Sequence, residues 1–334
     1  MQDVLENSDL SVCYVCSSAN DLGLKLEHPQ LKTFLIDEGF VRDWFFANME
    51  TDVVVMTMPD INQYQVKRSK HKVHYIYVQH SLVSFHMVYR PGAFDYYDSI
   101  FCAGSHHLEE MREMERVLEV PEKNLFEHGY ARLDAIKSEA SRRQKSSSET
   151  EKKFHYLLAP SWGENGTIET GLGSKIVDLL LAQDKRVTLR PHPQTIKFFT
   201  DQVDEIVKKH KDNPNFEYEN GVLGQESLHD SDVMICDWSG AALDYAFGLE
   251  KPVIFIDVKR KINNPDYTDV PIEPFEVSVR EKIGVVISPD NLEAIIEFTP
   301  YKLRKNISDE YVFNVGNSDK IGADEIIRIA NKLK

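Results

Sequence analysis

Residues 231–257, SDVMICDWSGAALDYAFGLEKPVIFID, place polar side chains at one turn inside an otherwise apolar stretch. Val233 to Cys236 and Pro252 to Ile256 read as buried strands, and Ala241 to Gly248 as the helix between them, a β-α-β unit of a parallel sheet. Asp237, Ser239 and Gly240 fall where that helix begins. A helix start carries unpaired backbone N–H groups and the positive end of the helix dipole, so it can hold a phosphate. Asp and Ser are equally at home there as simple caps, and the turn alone leaves both readings open.

Other residues with chemical capacity also follow strand-like runs. His80 comes after HYIYVQ and before Ser81, where it can act as a general base near neutral pH or close a loop. Arg190 and His192 stand in LRPHP, whose two prolines restrict the backbone around the histidine. Arginine at that point suits bidentate contact with phosphate, and a Pro-bounded surface turn is the competing reading. Ser161, Trp162 and Gly163 follow YLLAP, a turn whose amides and hydroxyl could reach a nucleotide, with ordinary packing as the other use of the tryptophan. Gly129 and Arg132, in HGYARLDAI, fit either a tight turn and a phosphate contact or the bracing of a domain junction. His106 and His107 are adjacent, so on a helix they point about 100° apart and make poor joint metal ligands. No H-E-x-x-H, Walker or G-x-G-x-x-G pattern occurs, so neither a resident metal nor a cofactor is expected.

These residues need a frame, and the chain alternates strands with helices. Residues 11–17, 31–36, 52–58, 74–81 and 96–104 read as strands, 41–48 and 105–118 as helices, the latter capped by Ser105. SRRQKSSSETEKK, residues 141–153, holds no apolar residue and is the expected linker. Beyond it, 154–161, 186–193, 216–218 and 284–288 read as further strands, with helices within 168–182, at 198–211 and at 323–334. The expected architecture is α/β: two Rossmann-like domains facing across a cleft, residues 1–140 and 154–300, then a tail and helix over 301–334. Ligands of such sheets sit beyond the carboxyl ends of the strands, where the residues singled out above lie.

The chain has 334 residues and a net charge of −15, which speaks against a general nucleic-acid binder. No apolar run approaches the roughly 20 residues of a membrane span, and residues 1–10 do not read as a signal peptide, so the expected location is the cytoplasm. Four cysteines are too few for a disulfide framework, and Cys13 and Cys16, in SVCYVC, read as core residues of a strand.

Taken in order, QHSL, DSIFCAGSHHLEE, HGYARLDAI, LLAPSWG, LRPHP and the 231–257 stretch resemble the CDP-glycerol glycerophosphotransferase family, which builds the polyol-phosphate chains of teichoic acids and some capsules. The closing YVFNVGNSDKIGADEIIRIAN is also similar, so the resemblance covers roughly residues 74–334. It implies a two-domain GT-B-type fold that holds the donor mainly in its second domain, and an N-terminal domain lacking its first strand and helix. By resemblance, His80 deprotonates the acceptor hydroxyl and His192 contacts the donor phosphates. Asp237, Ser239 and Gly240 match the phosphate-binding helix start, and Ser161 and Trp162 a P-S-W stretch. Arg190 and Asp244 join the donor-binding set, with Ser81, Gly129 and Arg132 at its edge. The sequence departs from the family in having Gln79-His80-Ser81 in place of Trp-His-Gly, and Gly240 in place of a second Ser.

The activity implied is transfer of a polyol phosphate, glycerol phosphate first, from a CDP-linked donor to an acceptor hydroxyl, with release of CMP. The implied acceptor is a polyol-phosphate, glycan or lipid-linked chain, met at the inner face of the membrane through peripheral contact. Two rivals share these residues: a GT-B glycosyltransferase using a nucleotide sugar, with a nucleotide-sugar 2-epimerase as its cousin, and a silent donor-binding subunit.

Overall fold

The computed structural model describes residues 1–37, 39–64, 66–144, 153–220 and 225–333. Of the expected linker, residues 145–152 lie outside the described residues, while 141–144 form the last turn of a helix, Ala131–Gln144. The chain divides into two compact units. Unit 1 comprises Met1–His80, Tyr89–Ala131 and Val312–Lys334, and unit 2 comprises Ser81–Val88 and Arg132–Tyr311. These bounds differ from the expected 1–140, 154–300 and 301–334. The Ala131–Gln144 helix goes almost wholly with unit 2, and the last helix, Ser318–Leu333, goes with unit 1.

Unit 1 holds two parallel sheets. In the smaller, β1 (Val12–Cys16) pairs with β2 (Leu31–Leu35). In the larger, β3 (Val53–Met56), β4 (His74–Val78), β5 (Ser99–Cys102) and β6 (Asn124–Glu127) lie in sequence order. Every residue of β5 is buried, as a strand covered on both faces must be. Ile76 on β4 and Phe101 on β5 cluster with Ile329 of the last helix, which is why that helix belongs here. Cys13 is exposed and Cys16 only half-buried, so neither is the core residue expected. A two-stranded sheet has too little cover to bury both faces of β1. The Ser105–Leu118 helix begins as expected, but its N-cap is Gly104 and no side chain caps it.

Unit 2 is a single six-stranded parallel sheet. Its strands are β7 (His155–Leu158), β8 (Arg186–Leu189), β9 (Phe216–Tyr218), β10 (Val233–Cys236), β11 (Val253–Ile256) and β12 (Gly284–Ile287), in the order β12-β11-β10-β7-β8-β9. Read from β9, this is the 3-2-1-4-5-6 order of a dinucleotide-binding fold, with its reversal between β7 and β10. All four residues of β7, β10 and β11 are buried, the reason β10 and β11 are apolar without alternation and β7 is apolar after His155. Each such Ile or Val contributes roughly 1.5–3 kcal/mol by leaving water. The short segment Ser81–Val88 is fastened to this unit by polar bonds. Glu276 accepts from Ser84 N and Ser84 Oγ, both at 2.8 Å, and Asn264 Nδ2 donates to His86 O at 2.8 Å.

Candidate active site

In unit 2 the polar residues gather where the strand order reverses. β10 ends at Cys236, and the next residue, Asp237, is 1% exposed. Its Oδ1 accepts from Ser161 N (2.7 Å) and Trp238 N (2.6 Å), and its Oδ2 from Thr167 N (3.1 Å) and Thr167 Oγ1 (2.8 Å). With four donors on one carboxylate, Asp237 ties the loop after β7 to the turn after β10. A carboxylate so engaged does not bind phosphate, so the donor-binding role expected for Asp237 becomes one of positioning. Ser239 Oγ accepts from Ala241 N at 3.3 Å at the head of the Ala241–Leu249 helix. A Cβ on Gly240 would run into Ser81 Oγ, so glycine there lets the Ser81 hydroxyl lie against the helix start.

His192 follows β8. Its Nδ1 accepts from Gln194 N at 3.1 Å, so the neutral ring carries its proton on Nε2 as a donor. Burial, then the nearby Lys261 charge, pulls its pKa down to about 4, keeping the ring neutral at neutral pH. The indole of Trp162 stacks against it, centroids 6.0 Å apart. Lys261 Nζ stands 4.6 Å from the Trp162 centroid, itself with a lowered pKa from burial and with Asp237 and Glu169 acting the other way. Trp162, His192 and Lys261 thus form one cationic, donor-rich wall.

Beside it, Arg190 Nε pairs with Glu219 Oε1 at 3.2 Å, and Arg132 Nε donates to Asp244 Oδ2 at 2.7 Å. Arg190 also feels both Arg132 and Asp244, so the four charges form one cluster at the first turn of the Ala241–Leu249 helix. Asp244 is buried and ion-paired, so its part is to hold Arg132 rather than to touch an anion.

In unit 1, His80 lies just past the carboxyl end of β4. Its Nδ1 is 3.0 Å from Tyr77 Oη, and Tyr130 Oη donates to its backbone carbonyl at 2.9 Å. Tyr77, Tyr89 and Phe94 make edge-on contacts around it, with Tyr77–His80 and His80–Tyr89 centroids 6.3 and 5.9 Å apart. The ring is exposed by area, yet the dense protein around it lowers its pKa, and the Thr57 carbonyl only partly opposes this. Lowering therefore comes from crowding rather than full burial. Gly129 has φ +98°, and a Cβ there would collide with the Phe313 carbonyl, so its role is to let 313–318 pack closely.

The structure brings together Ser81, Arg132, Ser161, Trp162, Arg190, His192, Asp237, Ser239, Gly240 and Asp244 in unit 2, and puts His80 and Gly129 in unit 1. Lys261 was not expected. It sits in the basic run Lys259-Arg260-Lys261, which reads as a solvated charge cluster. Exchanging Lys261 for Met should raise the donor KM about tenfold, the loss of one charge-assisted contact, with kcat less affected. Initial rates over a series of the expected donor, CDP-glycerol, check this, and an unchanged KM would remove Lys261 from the donor site.

Two parallel α/β units with site residues beyond their strands define the GT-B class. Solved structures agree on the fold. A histidine-to-alanine variant of the wall teichoic acid polymerase TagF is 15% identical with a TM-score of 0.59, covering 99% of this chain and 84% of that one. A histidine-to-asparagine variant of TagF soaked with CDPG is 14% identical with a TM-score of 0.53, covering 96% and 82%. UDP-GlcNAc 2-epimerase from Methanocaldococcus jannaschii is 15% identical with a TM-score of 0.55, covering 99% and 95%. No curated protein sequence matches. Residues 44–262 match the family described as CDP-glycerol:poly(glycerophosphate) glycerophosphotransferase, and the chain belongs to that family. It is a transferase that takes glycerol phosphate from a nucleotide-activated donor, CDP-glycerol, to a polyol-phosphate acceptor. No helix among the described residues is long and apolar enough to cross a membrane.

Proposed function

We propose that the chain extends a poly(glycerophosphate) of the teichoic-acid type, with the donor diphosphate held by unit 2 and the acceptor hydroxyl deprotonated by His80. In unit 2 the diphosphate lies against the Ser239–Gly240 helix start, taking hydrogen bonds from His192 Nε2 and charge from Lys261 and Arg190. Trp162 backs His192 and Lys261, and Asp237 joins the loop that carries Trp162 to the turn that carries Ser239. The acceptor oxygen forms its bond to the phosphorus that bears glycerol, and the bond from that phosphorus to the CMP oxygen breaks. The hydroxyl proton passes to His80, and CMP leaves with the electron pair of the broken bond. Catalysis then rests on positioning and on stabilising the charge of the leaving phosphate. That charge is met by side chains, and the reading requires no resident cofactor. A nucleotide-activated donor suggests reaction in the cytoplasm, and a lipid-linked acceptor would bring the protein to the inner membrane face.

The observation that carries this reading is the pairing of a neutral Nε2–H donor on His192 with two half-buried cations, Lys261 and Arg190, beside a helix start. It suits a diphosphate donor whose leaving group, CMP, departs as a charged phosphate. The test is product analysis with CDP-glycerol and a short glycerophosphate acceptor. Release of CMP with phosphate retained on the lengthened product supports phosphotransfer. A protein inert toward CDP-glycerol that consumes UDP-GlcNAc instead would sink it.

His80 must be neutral to accept a proton, and its pKa is lowered. The rate should therefore rise with pH along an acid limb whose midpoint falls below the ordinary imidazole value of about 6.5, then level off. A pH profile of kcat/KM for CMP release measures the midpoint. One above that value would contradict His80 as the base.

A further inference from the structure

On the β11–β12 side of Asp237, unit 2 contains a pocket of about 640 Å³ that no step above uses. It opens off the carboxyl ends of β10 and β11, with Trp238 and Asp257 among its walls. Arg280, 6% exposed, lines it with its guanidinium 3.9 Å from the Trp238 centroid and 4.9 Å from that of Phe255. Its Nη1 donates to Asp257 Oδ1 at 3.0 Å, while its Nε and Nη2 are buried without a hydrogen-bond partner. Buried charged donors left unpaired are costly and call for an explanation. Arg260 approaches the same indole, 5.5 Å from its centroid, and half-buried Ser278 joins exposed Glu273 and Glu281 on the wall.

We propose that this pocket binds a glycerophosphate unit of the acceptor chain, inward of its reacting end, with the phosphodiester at Arg260 and Arg280 and the glycerol hydroxyl at Glu273 or Glu281. The proposal rests on the reading that the acceptor is poly(glycerophosphate). Three cations (Lys259, Arg260, Arg280) face three carboxylates (Asp257, Glu273, Glu281), so the walls carry no surplus charge for a dianion. A chain that alternates one phosphodiester charge with one hydroxyl matches such walls. Arginine forks take phosphate oxygens, and carboxylates accept hydroxyl protons. Clefts of about 300–1,000 Å³ hold drug-sized ligands, so more than one unit fits.

The experiment measures binding of a short poly(glycerophosphate), of free glycerol phosphate and of CDP-glycerol to the whole chain by calorimetry, for wild type and Arg260→Gln. CMP release is followed in parallel. The expected result is about tenfold weaker oligomer binding in the variant, with CDP-glycerol binding unchanged. Equal oligomer affinity in both proteins overturns the proposal, as does a matching loss for CDP-glycerol, which would give the pocket to the donor. Oligomer binding that responds to Arg260 while no CMP is released from CDP-glycerol would overturn the proposed function and leave the pocket standing. If Arg260→Gln melts well below wild type, Glu281→Gln at an exposed position reads the hydroxyl side, with about threefold weaker oligomer binding expected and no change overturning the proposal.

Discussion

His80→Ala should lower kcat for CMP release by about 10²–10⁴-fold, the usual contribution of a positioned general base, with donor KM close to wild type. The split between the two constants follows from the fold. His80 follows β4 in unit 1, whereas Lys261, His192 and Arg190 sit in unit 2, so removing the imidazole leaves every proposed donor contact in place. The acid limb of the pH profile should vanish with the side chain. Retention of more than about a tenth of wild-type kcat, against that scale, would mean another group takes the proton. His80→Asn tests the ring more gently, since it fills similar space beside Tyr77 and should be as slow.

Asp237→Ala should destabilise unit 2 by about 3 kcal/mol or more, because it strands three backbone N–H groups and the Thr167 hydroxyl in a buried turn. For a unit of this size that corresponds to a fall in Tm of roughly 6–12 °C. Donor affinity should fall as well, since the carboxylate joins the loop carrying Trp162 to the turn carrying Ser239. Thermal melting with and without CDP-glycerol checks both effects. A variant with wild-type Tm would show that the turn keeps its shape without the carboxylate. A direct phosphate ligand would behave differently, losing affinity at unchanged Tm.

How much of this was legible in the sequence depends on how each residue earns its place. β10 and β11 are readable to within a residue, because buried parallel strands are short apolar runs bounded by polar turns. β6 escapes, since Asn124–Glu127 carries only Leu125 and Phe126 between polar ends, and both are half-buried at the edge of its sheet. Cys13 and Cys16 mislead for a related reason: apolar neighbours suggest a core that a two-stranded sheet does not supply.

In the site, residues directly after strands could be found because topology alone sends them to one edge. Their roles were harder to read. Asp237 reads as a ligand until its four donors are seen, and Asp244 until Arg132 is seen beside it. Apart from the adjacent Trp238 N–H, those partners are 70 to 112 positions away in sequence, too far for spacing to reveal. Lys261 is hidden by its basic neighbours, and only its approach to Trp162 separates it from them.

The last helix, Ser318–Leu333, completes unit 1 by placing Ile329 against Ile76 and Phe101. This has a bearing on synthesis. Most of unit 2, residues 132–311, emerges from the ribosome as one continuous stretch and can collapse on its own sheet. The strands of unit 1 precede residues 132–311 in the chain, whereas its closing helix follows them. Its early strands must wait with Ile76 and Phe101 uncovered, which makes the half carrying His80 the later to mature and the more dependent on chaperone protection during that interval.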